Sequence, residues 1–385
     1  MSERLNVLFL PSWYPSDELP VNGIFVREYA RAVSLKHNVA VLYLATQAGP
    51  YRDYDDEGIR TIKHAVPFSG AGIGLARYIR QGLRDFAQLH RSFRPDLIHV
   101  HMVYPAGLLA MAIALRYRIP LVLSEQMNPF AGYMSNMLKR VLVRRAMAAA
   151  QVICPISLFL QRQMEQQGAK GPFVIVPNVV NTRLFTACPP APRAAGEPKR
   201  IVLIALLDYP ADVPDIKGIN YLLRGLAQLS NHRDDFTLDI IGDGPKRAEY
   251  EATAAELQLN DKVRFLGMKA KVEVARLLHD YDFLVMPSLS ESMGVVVIEA
   301  LASGKPVVST RCGGPEEVLT EQVGLLVDKA SVKALCGGVA WMLDHYRDYD
   351  PQAIAAYARS RYTYEAVAAQ FDAVYRQALG TGKRQ

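Results

Sequence analysis

"YDFLVMPSLSESMGVVVIEALASGKPVVST", residues 281 to 310, passes through three kinds of chain in quick succession. "YDFLVMP" is short and apolar, as a buried strand is. "SLSES" reads as a turn, "MGVVVIEALAS" has the length and composition of a helix, and the β-branched "PVVST" reads as the next strand. The stretch therefore predicts one βαβ unit, because parallel neighbours need a crossover of this length. Gly304 suits a left-handed helix cap and Pro306 forbids continuation. Ser288 and Glu291 have the spacing of a capping box.

Two carboxylates in this apolar context call for a reason. Glu291 can simply return a hydrogen bond to the helix start. Glu299 lies among Val297, Ile298, Ala300 and Leu301, where an unpaired carboxylate is costly, so it is expected to have partners. Eight residues of helix rise about 12 Å, so the two are expected to grip opposite ends of an elongated ligand. Between them the amides around Gly294 and Val295, at the positive end of the helix, suit an anion. Hydroxyls, a diphosphate and ribose hydroxyls, in that order, describe a nucleotide sugar.

Outward from this unit, short β-rich runs alternate with amphipathic helical runs in both halves, which predicts parallel sheets wrapped by helices. The strands expected first are "LNVLFLP", "NVAVLYLA", "DLIHVH", "PLVLSE", "QVICPIS" and "FVIVPN", then "RIVLIALL", "FTLDIIG", "VRFLG", "FLVMP", "PVVST" and "VGLLVD". A proline-rich, small-residue stretch separates the halves. The expected division is an N-terminal domain over 1–185, a linker over 186–200 and a domain over 201–362 that carries the expected nucleotide-sugar site. A last helix, 363–380, can pack back on the first domain. Two such domains on one linker place a cleft at the carboxyl ends of their sheets, where open α/β folds bind ligands.

The chain of 385 residues is half hydrophobic and 21 % charged, enough for two domains with real cores. Four well-separated cysteines read as reduced thiols, which favours the cytoplasm. The N-terminus lacks the pattern of an export signal, and no apolar run reaches the roughly 20 residues of a bilayer span. The net charge of +6 is concentrated: residues 75 to 145 carry eleven Lys/Arg against three Asp/Glu. Arg77, Arg80, Arg84 and Arg91 share one side of a predicted helix, opposite Leu75, Ile79, Leu83, Phe86 and Phe93. That face is either a solvated surface or one that meets anionic lipid or a phosphate-bearing substrate. Nucleic acid is not expected, because no reading motif or aromatic platform accompanies the charge.

With these residues in place, "PSLSESMGVVVIEALASGKPVVSTRCGGPEEV" resembles the signature of glycosyltransferase family 4, the group 1 glycosyltransferases of GT-B architecture. "PVNGIFVREYARAV", "PDLIHVH", "VIVPNVVNTRLF", "DIKGINYLLRGLAQL" and "LDIIGDGPKRAEYE" resemble further family segments in the expected order. The resemblance implies two Rossmann-like domains with parallel sheets facing across a cleft. It implies a retaining, metal-independent transfer from a nucleoside-diphosphate sugar, a UDP-sugar being favoured, to a glycan, lipid-linked or small-molecule acceptor in cell-surface polysaccharide or glycoconjugate synthesis. By motif position, Glu291 would contact the transferred sugar, Lys217 the diphosphate and Glu299 the ribose. Gly23, Gly242, Gly244, Ser292, Met293, Gly294, Val295 and Arg311 would complete the donor site. No metal and no further cofactor are implied, and the place of work would be the cytoplasm or the inner face of its membrane.

Two positions depart from the pattern. Most relatives carry Arg where this chain has Leu206, which leaves three readings open: altered donor phosphate contacts, Arg311 or Lys246 standing in as a phosphate cation, or lost activity. Relatives often carry His where Gln126 stands, and Gln donates hydrogen bonds without titrating. The alternatives are a nucleotide-sugar 2-epimerase, which shares the architecture, and, suggested by these departures, a non-catalytic subunit that binds the nucleotide sugar. On "DLIHVH", His99 and His101 are taken to alternate, so that only one faces the core. His101 beside Tyr104 is then the acceptor-side candidate, together with Gln126.

Overall fold

The computed structural model describes residues 3–16, 22–67, 72–188, 196–207 and 215–381. Pro20 and Val21 of the N-terminal glycine loop, residues 189–195 of the expected linker and residues 208–214 before Lys217 lie outside them. The chain forms two units: one from the N-terminus to Val179, rejoined from Thr363 onward, and one over Val180–Tyr362. The change of unit thus falls between Val179 and Val180, ahead of the proline-rich stretch.

The first unit is built on β1 (Asn6–Pro11), β2 (Asn38–Ala45), β3 (Arg52–Asp56), β4 (Ile59–Ala65), β5 (Leu97–His101), β6 (Leu121–Glu125) and β7 (Val152–Pro155). They lie in the order β3-β4-β2-β1-β5-β6-β7, all parallel except β3 on β4. The β3–β4 hairpin was not expected, because "RDYDD" has no apolar face to betray a strand. Conversely "FVIVPN" forms no strand: Phe173 makes only an isolated bridge to Ile153. The helix Tyr364–Thr381 packs in this unit against Ile24–Ser34.

The second unit carries β8 (Lys199–Ile204), β9 (Phe236–Ile241), β10 (Val263–Gly267), β11 (Phe283–Met286), β12 (Val307–Thr310) and β13 (Gly324–Val327). All pairs are parallel, in the order β10-β9-β8-β11-β12-β13. Strand order reverses between β8 and β11, and at such a switch point the loops leaving the carboxyl ends diverge and leave a crevice. The stretch from 281 to 310 does fold as a βαβ unit, with β11, a helix Val295–Ala302 and β12. The helix is apolar on nearly all sides because it is covered on nearly all sides: Val297, Ile298, Ala300 and Leu301 are fully buried. Each such aliphatic side chain contributes about 1.5–3 kcal/mol relative to exposure.

Candidate functional site

The switch point of the second unit carries a pocket of about 240 Å³. Its wall is built from the ends of two strands: Ala205 and Leu206 after β8, Pro287 and Ser288 after β11, with Lys217, Glu291, Gly294 and Val295 around them. Three local devices hold these loops. Gly218 starts the helix Ile219–Ser230 in left-handed backbone (φ 66), and a Cβ there would sit 2.0 Å from the Pro287 carbonyl oxygen, so only glycine lets the lysine loop approach β11. Asp215 accepts hydrogen bonds from Asn220 N (2.8 Å) and the Tyr250 hydroxyl (2.8 Å), anchoring the same loop from below. The loop after β9 reaches across as well, since Leu207 N donates to Asp243 O (3.0 Å) and Gly242 N to Gly267 O (2.9 Å).

Lys217 Nζ donates to Glu291 Oε1, and each side chain keeps about a fifth of its surface exposed, at 19 % and 17 %. The Ser288 hydroxyl donates to the same oxygen at 3.1 Å. This corrects two expectations. Ser288 and Glu291 do not form a capping box, because the helix begins only at Val295, after a left-handed Gly294 (φ 79). Nor do the two carboxylates share a helix. Glu291 lies in extended chain that bridges to Gly313, with Glu291 N donating to Cys312 O (3.0 Å) and Gly314 N to Glu291 O (2.8 Å). The helical rise between positions 291 and 299 therefore does not describe their separation.

Glu299 is 6 % exposed and has the partner its burial demands: Lys271 Nζ at 2.9 Å, from the helix Lys271–Leu278. Lys271 was missed in the sequence, as were the anchoring Asp215 and Tyr250. An isolated lysine at a helix start carries no spacing signal, and its pairing is visible only once two helices are side by side. Met293 is buried at 2 % exposure and Ser292 half-buried, with Gly314 packed on the Ser292 carbonyl. Gly242 and Gly244 sit in the loop after β9, and Arg311 follows β12 with an exposed side chain. Lys246 is buried at 5 % exposure and donates to Glu249 Oε2 at 2.8 Å, so this alternative cation is already engaged.

The remaining candidates belong to the first unit. Gly23 precedes the helix Ile24–Ser34 with φ 70, where a Cβ would lie 2.4 Å from the Trp13 carbonyl oxygen. Tyr104 is half-buried, with Lys139 Nζ 4.7 Å over its ring. Gln126 follows β6 and is half-buried. Glu125 joins the two loops: fully buried, it accepts Val103 N (2.8 Å), Gln126 N (2.8 Å) and Met127 N (2.9 Å). Burial raises its carboxyl to about 6, against the lowering effect of those three amides.

His99 and His101 require a correction. Residues two apart on a strand share a face, and both rings are buried, 4.0 Å apart between centroids. His99 is bonded to Tyr375 Oη (2.7 Å) and Ser124 Oγ (2.8 Å). His101 packs on Phe9 and Tyr29, and neither ring nitrogen has a hydrogen-bond partner among the described residues.

Similarity to known proteins extends over both units. A family model for glycosyl transferases group 1 matches residues 209–361, and a glycosyl transferase 4-like domain matches residues 23–179. The chain is 30 % identical to a component of the phosphatidylinositol N-acetylglucosaminyltransferase of Homo sapiens over 64 % of its length, a match that spans half of that protein. It is 28 % identical to a glycogen synthase of Mycobacterium tuberculosis over 95 % of this chain and 91 % of that one. Among solved structures, Anabaena Alr3699/HepE in complex with UDP superposes with a TM-score of 0.74 at 17 % identity, covering 97 % of this chain and all of that one. The shared fold is GT-B.

Proposed function

The chain belongs to the group 1 glycosyltransferases, and on that premise we propose that it transfers a sugar, with retention and without a metal ion, from a nucleoside-diphosphate sugar to a glycan or lipid-linked acceptor. The observation that carries the reading is the Lys217–Glu291 pair on the rim of the pocket at the β8/β11 switch point, beside the start of the helix Val295–Ala302. Donor and leaving group impose distinct demands on such a site. The diphosphate gathers negative charge as the glycosidic bond breaks, and the Lys217 ammonium with the helix amides is preorganised to receive it. Once the diphosphate draws Lys217 away, the Glu291 carboxylate is released to accept hydrogen bonds from hydroxyls of the transferred sugar. Glu299, held by Lys271, offers a fixed carboxylate for the ribose hydroxyls. UDP is the favoured leaving group by analogy with the UDP-bound Anabaena protein.

Transfer with retention places the acceptor oxygen on the face the diphosphate leaves. In that front-face geometry alignment, and not a protein nucleophile, does the chemistry. Leu206 puts an apolar side chain in the pocket wall where relatives carry a cation, which throws more of the charge compensation onto Lys217. Calorimetric titration of UDP-, GDP- and dTDP-sugars tests the site. One donor is expected to bind the wild type, about 10- to 100-fold more weakly to Lys217→Ala, as suits the loss of a charged hydrogen bond. Leu206→Arg is expected to bind it more tightly. Equal binding by wild type and Lys217→Ala would remove the donor from this pocket.

A further inference from the structure

A second groove, of about 600 Å³, lies at the opposite edge of the same sheet. Its walls come from the segment leading into the amino end of β13 (Glu321, Gln322), the last turns of the helix Val332–His345 (Trp341), the connection after it (Asp348, Tyr349, Asp350) and the helix Pro351–Tyr362 (Tyr357). In an all-parallel sheet the amino ends of the strands are the edge away from the β8/β11 switch point, so this groove is no part of the donor pocket.

Three of its lining side chains are aromatic, Trp341, Tyr349 and Tyr357. Trp341 is 41 % exposed, an unusual state for the largest side chain. One face of the indole is covered by the His345 ring, stacked at 4.3 Å and 8°, and His345 Nδ1 is bonded in turn to Trp341 O at 2.8 Å. Tyr349 stands nearly perpendicular, 6.4 Å away, and the Tyr357 hydroxyl is anchored on Val318 O at 2.7 Å. Carboxylates line the groove as well. Asp350 accepts Gln352 N at 2.8 Å, whereas the Glu321 and Asp348 carboxylates make no hydrogen bond or ion pair with other described residues. Burial, then the nearby Asp348 and Glu321 charges, hold the Tyr349 hydroxyl above its ordinary range, which keeps it a donor.

An aromatic surface with carboxylates at its border accommodates two kinds of ligand, a cation or a polyhydroxylated ring. One ring of the groove already carries a cation from within, Arg361 4.0 Å over Tyr357, and the transfer proposed above is what brings polyhydroxylated rings to this protein. What stays open is the exposed part of the Trp341 indole, in a groove that the Glu321 and Asp348 carboxylates also line. We propose that this groove is an accessory carbohydrate site, in which a pyranose of a neutral glycan lays its C–H face on Trp341 while its hydroxyls donate to Glu321 and Asp348. Such a site would tether a glycan chain to the enzyme away from the reacting end.

The chain contains two tryptophans, Trp13 and Trp341, so Trp13→Phe leaves Trp341 as the sole indole reporter. Titrating that variant with neutral gluco-, manno- and galacto-oligosaccharides is expected to give a saturable fluorescence change with one series. By calorimetry, Trp341→Ala and Glu321→Ala are each expected to weaken that binding about tenfold or more, with donor affinity unchanged. The proposal is overturned if no oligosaccharide alters the Trp341 signal while the nucleotide sugar still binds. It is equally overturned if tetramethylammonium alone produces the saturable change, which would make the groove a cation site, or if both variants bind the glycan as the wild type does. Because the donor titration runs on the same samples, failure here and failure of the donor pocket give different results.

Discussion

Glu125 is withdrawn entirely from solvent at the carboxyl end of β6, and both of its oxygens are engaged. Oε2 accepts Val103 N, and Oε1 accepts both Gln126 N and Met127 N. The side chain thereby sets the loops that carry Tyr104 and Gln126. In Glu125→Gln the amide NH₂ must face at least one backbone N–H, leaving a buried donor unmet, so a loss of about 1–3 kcal/mol is expected in denaturant unfolding. An unchanged midpoint would show that the loops are held by other contacts. At this scale the chain was partly readable in advance. Glu291 and Glu299 stood out because the two carboxylates sit in an apolar, small-residue run, and Lys217 because its segment resembles that of the family. The salt partner Lys271 and the anchors Asp215 and Tyr250 did not, because each matters only through a neighbour far away in sequence.

Elements show where local pattern suffices and where it misleads. β5 was placed correctly from its β-branched composition, yet its two histidines were assigned to opposite faces, although a period of two puts them together. The consequence is energetic. Burial holds the His99 imidazole down to about 3, and burial, then the adjacent His99, holds the His101 imidazole well below its ordinary value too. Both are neutral in the native state, while the unfolded chain takes up protons below about pH 6.5. Their folded values lie below the unfolded ones, so stability is full above about pH 6.5 and is lost as pH falls, by about 1.4 kcal/mol per unit for each ring. Glu125 acts in the opposite sense: its raised value means the native state binds a proton first between about 6 and 4.5, which offsets part of the loss. Urea unfolding at pH 7 and pH 5 is expected to show a net drop, and His101→Phe, which also removes two unpartnered buried nitrogens, to flatten it by roughly one ring's share. If that variant keeps the wild-type slope, His101 is not the group that titrates. The helix Val295–Ala302 carries a similar lesson. Its composition foretold a helix, but Ser288 and Glu291 mimicked a cap because that motif tests spacing alone, and the chain was already committed to bridging Gly313.

For the molecule as a whole, the basic excess has a place in the fold. Arg77, Arg80 and Arg84 are exposed on the helix Ile73–Leu89, whose first residue, Ile73, is 92 % exposed. On the helix Met137–Ala148, Arg140, Arg144 and Arg145 are exposed beside Met137, Leu138 and Val141. Of the three acids between residues 75 and 145, Glu125 and Asp85 are buried, Asp85 paired with His64 at 2.9 Å, and Asp96 accepts Asn6 N at 2.8 Å. No described helix is long and apolar enough to cross a membrane. On each of these two helix faces apolar side chains stand beside arginines, a pairing suited to an anionic lipid interface. The full-length protein is expected to co-sediment with vesicles containing phosphatidylglycerol and not with neutral phosphatidylcholine vesicles, and to be released by salt. Equal recovery from both would leave the basic faces as solvated surface. The amino-acid sequence by itself determined the two α/β halves, the βαβ unit at 281 to 310 and the carboxylates within it, because hydrophobic period, turn residues and motif spacing are local properties of the chain. Tertiary structure alone decided that β8 lies beside β11, that Glu291 faces Lys217, that Glu299 faces Lys271 and that His99 touches His101 in a dry core. Those outcomes depend on which helices and strands become neighbours, a choice made by the packing of the whole core and written in no single segment.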